Sequence, residues 1–107
     1  MRIKYNRRTS MTLDQLADEL WLTMYVQERE RDIGITQGRY YCNFIGLEVK
    51  QGGVLVGEHG NGSTVDRAIR NYCKKISNKH LVFNANSKER YEMMSPTILP
   101  VWTEEEV

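Results

Sequence analysis

GNGSTVDRAIRNYCKKI, residues 60–76, is the stretch whose reading decides the fold. Val65, Ala68, Ile69, Tyr72, Cys73 and Ile76 fall at i, i+3, i+4, i+7, i+8 and i+11, one unbroken apolar stripe at the helical period. The spacing predicts a helix with that stripe buried. Ser63 stands where an N-cap belongs, since a hydroxyl there accepts from a free amide of the first turn, and Asp66 suits the positive end of the helix dipole. The other side carries Arg67, Arg70, Lys74 and Lys75. Asp66 is the only acid between residues 62 and 88, so this face reads as basic and without i,i+4 neutralisation.

Ahead of the helix, residues 57–62 (GEHGNG) read as a glycine-rich turn. Before that, Gln51, Gly52 and Gly53 signal a hairpin, with Val54 to Val56 as its returning strand. In residues 39–45, Tyr40, Cys42 and Phe44 share one face and Tyr41, Asn43 and Ile45 the other. Gly46 interrupts, and Leu47 and Val49 resume the alternation. Leu22, Met24 and Val26 alternate with Thr23, Tyr25 and Gln27 as a half-buried strand, followed by an exposed loop over residues 28–38. Thr12 and Gln15 have capping-box spacing, with Leu13, Leu16, Ala17 and Leu20 behind them, which predicts a helix over residues 12–21. Beyond the second helix, Leu81, Phe83 and Ala85 make a strand and Tyr91 and Met93 a further one. Pro96 and Pro100 mark an extended tail.

The expected fold is therefore α+β: a helix, a three-stranded antiparallel meander, a helix and one or two further strands, with the helices packed on one face of the sheet. The expected organisation is a basic N-terminal segment (residues 1–11), a single domain (12–95) and an extended acidic tail (96–107).

Composition narrows the class. At 107 residues, with 40% hydrophobic and 27% charged side chains, the chain suits one globular core. No apolar run reaches a membrane span, and the basic start MRIKYNRR is not followed by the apolar stretch of a signal peptide. No membrane association and a cytoplasmic location are expected, and two unpaired, buried thiols at Cys42 and Cys73 agree with that compartment. A net charge of +1 conceals unevenness: residues 1–8 carry four basic side chains and no acid, residues 62–90 seven against two, and Glu104, Glu105 and Glu106 close the chain. Such asymmetry points to a polar partner or to a solubility device.

The quoted segment resembles a set of small, mostly uncharacterised bacteriophage proteins. The likeness runs over about residues 12–94 and includes LTM at 22–24, VKQGGVL at 49–55, GNGST at 60–64 and KHLVFNA at 79–85. It implies a phage accessory protein acting in the host cytoplasm, which binds and inhibits or redirects a host protein or ribonucleoprotein complex, such as a CRISPR effector. The order of elements is also similar to the double-stranded-RNA-binding domain and the HicB-type antitoxin fold, with Ser63, Thr64 and Ala68 at matching places. That family carries a Lys-Lys pair and a further Lys at the helix start, where this chain has Val65, Asp66 and Arg67. The resemblance implies, as alternatives, a nucleic-acid-binding module or an antitoxin-like regulatory dimer that pairs an exposed strand near Tyr91.

Candidate sites follow. Arg67, Arg70, Lys74 and Lys75 form the partner-facing surface or a solvated helix exterior, with Arg29, Arg31 and Arg39 of the loop as further contributors. Gly60, Asn61, Gly62 and Ser63 present amides to an anion or simply turn the chain. Tyr25, Tyr40, Tyr41 and Phe44 offer a stacking surface for bases or pack in the core or at an edge, with Tyr25 or Tyr41 the ones to expect on an open sheet face. His59 and His80 lack companions at metal-ligand spacing, the carboxylates are dispersed, and Ser63 with His59 lacks an orienting third group, so neither catalysis nor a metal or other cofactor is expected.

Overall fold

The computed structural model describes residues 10–29 and 38–103. Most of the basic N-terminal segment, Arg31 with most of its loop, and the glutamates of the tail lie outside the described residues.

The elements are β1 (Ser10–Thr12), α1 (Leu13–Leu20), β2 (Met24–Glu28), β3 (Tyr40–Phe44), β4 (Leu47–Gln51), β5 (Val54–Val56), β6 (Gly60–Gly62), α2 (Val65–Ile76), β7 (His80–Phe83), β8 (Tyr91–Met94) and β9 (Thr97–Leu99). This is an α+β fold with two helices and mostly antiparallel strands. Instead of one sheet there are three, ordered β2-β3-β6, β5-β4-β7-β8 and a parallel pair β1-β9. The run over residues 39–51 divides at Ile45 and Gly46, so that β3 stays with β2 and β6 while β4 leaves to pair with β7. The buried positions change phase there, from Cys42 and Phe44 to Leu47 and Val49, and only the resumption of alternation beyond Gly46 makes the sequence read as one strand.

Both helices begin on their local chemistry. Thr12 accepts from the Gln15 amide while Gln15 returns a carbonyl to the Thr12 amide, a complete capping box. At α2 the cap is Thr64, not Ser63: the Thr64 hydroxyl accepts from Arg67 N at 3.1 Å, and Ser63 Oγ instead accepts from the Arg67 guanidinium at 3.0 Å. Two adjacent hydroxyls make the cap ambiguous in sequence. The extended backbone at Thr64 (φ −133°) resolves it.

Residues 60–62, expected as part of a turn, form β6 and pair with β3, Cys42 opposite Gly60 and Tyr40 opposite Gly62. Their glycines serve the helix above. A Cβ on Gly60 would stand 2.1 Å from the Ala68 carbonyl oxygen, and one on Gly62 2.4 Å from the Ala68 amide. Helix α2 therefore touches backbone directly. The stripe of α2 is buried as its period requires from Ala68 to Ile76 and partly buried at Val65, and Tyr72, fully buried, accepts a hydrogen bond from the Phe44 amide at 3.0 Å. Burial also raises the Tyr72 phenol well above its usual pKa.

The tail reading is corrected as well. Prolines at 96 and 100 leave Thr97–Leu99 free to pair in parallel with Ser10–Thr12, placing Met11 opposite Ile98, both buried. Trp102 continues onto Phe44, with ring centroids 6.5 Å apart. The folded unit thus extends past the expected limits of 12 and 95. Among the described residues no helix is long and apolar enough to cross a membrane.

Two stability effects follow. Gly60→Ala should destabilise more than Ile69→Ala, whose emptied site costs about 2–5 kcal/mol, because the new methyl meets helix backbone that cannot yield; urea unfolding of both variants measures this. Thr64→Ala should cost about 0.5–2 kcal/mol and Ser63→Ala only a few tenths. The reverse order would reassign the cap.

Candidate nucleic-acid interface

Strand alternation gives β2-β3-β6 two unlike faces. Cys42 and Phe44 point into the core, so Tyr25, Gln27, Tyr41, Asn43 and Asn61 occupy the outer face. Register sets Gln27, Tyr41 and Asn61 side by side across three strands, with Tyr25 opposite Asn43. Tyr41 is clamped: its hydroxyl donates to Gln27 Oε1 at 3.1 Å, and the Arg29 guanidinium lies 4.6 Å from its ring centroid. Tyr25 approaches edge-on from one side at 6.5 Å and His59 from the other at 6.0 Å. Tyr25 is 40% exposed. The result is a row of three rings, the central one immobilised and the flanking ones open to solvent.

Arg29 acts as a strut. It donates to the Gly38 carbonyl at 2.9 Å and to Asn61 Oδ1, so its fork is spent inside the protein rather than offered to a partner. Asn61 in turn donates its amide to Asn71 Oδ1 on α2 at 2.9 Å, and Lys75 Nζ donates to the His59 carbonyl at 2.6 Å. These bonds tie the sheet face to the helix beside it. They also occupy the Asn61 amide, so the expected anion-binding turn is a paired strand whose glycines face α2.

The basic side of α2 is exposed at Arg67, Arg70 and Lys74 and half-buried at Lys75. One expectation fails: Arg70 Nε lies 2.8 Å from Asp66 Oδ2, an i,i+4 pair that cancels its charge locally. That pair is exposed and contributes little to stability. Lys74 has no ion pair among the described residues. Around the helix, Asn71 and Lys75 lie toward β6, Arg67 and Lys74 outermost, and Arg70 toward β9. There Arg70, Lys74 and Lys79 line a groove of about 610 Å³ with Ser77, Asn78 and Thr97. Arg39, on the other flank, is paired to Glu28 at 2.6 Å, and the hydrogen bond with that carboxylate holds the guanidinium proton more firmly than usual. Arg31 lies outside the described residues.

Sequence reasoning singled out Tyr25, Tyr41 and the α2 cations separately. It named Asn61 only as part of an anion-binding turn and His59 only as a histidine without companions, and it missed Asn71; tertiary pairing of β6 with β3 is what joins these to the others. No group of three His, Cys, Asp or Glu suited to a metal occurs among the described residues. His80 stands on β7, in the other antiparallel sheet, where its Nε2 meets Glu92 Oε1 at 2.8 Å. That bond, with Arg90 and Lys50 beyond it, holds the Glu92 carboxyl below its usual range. The chain matches no known protein family, no characterised protein and no solved structure.

Cys42 and Cys73 are both buried and unbonded, and burial pushes their pKa values up to about 11 and about 12. At pH 8 roughly 0.1% or less of either is thiolate, against roughly a quarter for a free cysteine. The native protein should therefore resist a thiol-reactive disulfide reagent at pH 8 and take up two equivalents on unfolding, which absorbance of the released thiol reports.

Proposed function

We propose that this chain is a non-enzymatic binding protein whose outer β2-β3-β6 face holds single-stranded nucleic acid, free or as the exposed strand of a host ribonucleoprotein such as a CRISPR effector. The observation that carries the reading is the ring row Tyr25, Tyr41 and His59, backed by Arg29 and continuous with the cations of α2. Aromatic rings on an open sheet face stack unpaired bases regardless of sequence, and neighbouring cations track the phosphates. Asn43, Gln27 and Asn61 add amide groups beside the rings. The likeness to small bacteriophage proteins supports a target within a host complex in the host cytoplasm; the ring row supports nucleic acid as the surface recognised there.

A second reading, an antitoxin-like homodimer, is favoured by one feature. β8 ends its sheet as an edge strand with Tyr91 51% and Met94 65% exposed. Sedimentation mass against 12.5 kDa for the single chain separates the two states.

The test is fluorescence anisotropy with a labelled 16-nucleotide single-stranded RNA and its DNA counterpart. Binding should weaken steeply as salt rises. Tyr25→Ala should weaken it by about five- to a hundredfold, in line with loss of one stacked base, at unchanged melting temperature. Combined Arg67→Glu, Arg70→Glu and Lys74→Glu should weaken it well over tenfold and flatten the salt dependence. Absence of binding to any single strand at physiological salt would leave a protein surface as the target.

A further inference from the structure

A second surface lies away from the ring row and has the opposite charge. Between α1 and the start of β2, with Val65 and Trp102 beside it, runs a groove of about 800 Å³ whose apolar walls include Leu22, Met24 and Val26. Among the described residues no Lys or Arg lines it, while Asp14 and Asp18, one helical turn apart on α1, do. Thr103 fixes the Asp14 carboxylate through two hydrogen bonds, from its amide at 3.0 Å and its hydroxyl at 2.8 Å. Both donors are neutral, so these two bonds do not cancel the carboxylate's charge. Neither aspartate forms an ion pair with a cation among the described residues.

Trp21 directly precedes the groove-lining Leu22 in the chain. It is 94% exposed and closes α1 in the left-handed conformation at φ 55°. That position ordinarily belongs to glycine or asparagine, because a bulky side chain is strained there. Here it carries the largest apolar side chain, and carries it into water. Val26, 37% exposed, widens the same apolar surface. A tryptophan held out in water is the residue type of protein-binding hot spots, and carboxylates at the rim of an apolar groove select the sign of what enters.

We propose that this groove docks a cationic amphipathic segment of a protein partner, its aliphatic side chains against Leu22, Met24 and Val26, its Lys or Arg side chains against Asp14 and Asp18, and Trp21 closing over it. The surface is independent of the nucleic-acid face, so either assignment stands if the other fails.

The probe is a fluorescein-labelled 14-residue helical peptide with leucine at i, i+3, i+4 and i+7 and lysine elsewhere, titrated onto the full chain. The control peptide replaces every lysine with glutamate. The lysine peptide should bind and the glutamate peptide should not. Trp21→Ala and the double change Asp14→Asn with Asp18→Asn should each weaken binding at least tenfold. Trp21→Gly should abolish binding equally while keeping or raising the melting temperature, which separates lost contact from lost fold. Tyr25→Ala should leave peptide affinity unchanged. Equal binding of both peptides, or affinity indifferent to these substitutions, would overturn the proposal. So would self-association of the chain that Trp21→Ala abolishes, which would assign the groove to a second copy. Tighter peptide binding after Arg2→Glu with Lys4→Glu would assign it to the chain's own basic start and overturn the proposal likewise.

Discussion

Backbone contact between α2 and the glycine strand β6 is the constraint on which the remaining architecture rests. With no Cβ at Gly60 or Gly62, the helix settles directly on the strand, and Ala68 is the small residue that meets it. Only at that separation does the Tyr72 hydroxyl reach the Phe44 amide across the core, satisfying a buried donor that otherwise would cost about 1–3 kcal/mol. A helix held further off would leave voids along Ile69, Tyr72 and Ile76, and interiors at native density do not tolerate them cheaply.

The same contact orients the candidate interface. β6 pairs with β3, so fixing β6 under α2 fixes the tilt of β3, and pleating then turns Tyr41 outward because Cys42 and Phe44 are inward. The bonds Asn61 to Asn71 and Lys75 to the His59 carbonyl join helix and sheet at that edge. A recognition surface built in this way is pre-organised: Arg29 and Gln27 hold the central ring before any ligand arrives, so less side-chain freedom is lost on binding.

The charge of the protein is likewise organised by packing rather than by totals. A net charge of +1 conceals a cationic band around α2 and an acidic rim on α1, whose eight residues include no base. Under the two proposals, placing the two signs on separate surfaces leaves room for different partners at once. Such an arrangement suits an accessory protein that bridges a nucleic acid and a protein, the combined form of the two proposals made above.

What the amino-acid sequence determined by itself is governed by neighbours within one or two turns, although two such details, the choice of Thr64 over Ser63 as cap and the Asp66–Arg70 pair, emerged only in the fold. The α2 stripe, the Thr12 and Gln15 capping box, the Gly52-Gly53 hairpin with both residues at positive φ (56° and 83°), and the inward and outward faces of residues 40–44 all follow from local period and local hydrogen bonding. Even the two buried thiols follow from their places in apolar patterns. What only the tertiary structure decided involves partners distant along the chain. Thr97–Leu99 becomes a strand because Ser10–Thr12 lies beside it, and residues 60–62 become one because β3 offers an edge and α2 a surface. Gly46 interrupts an alternating run whose inward positions change phase from 42 and 44 to 47 and 49, but that the two parts join different sheets is decided by their partners β6 and β7. Arg29 reads as a free loop cation until Asn61, 32 residues away, accepts its hydrogen bond. Periodicity reports which face of an element is apolar, whereas pairing and side-chain partnership depend on which elements meet, and that is settled only when the whole core closes.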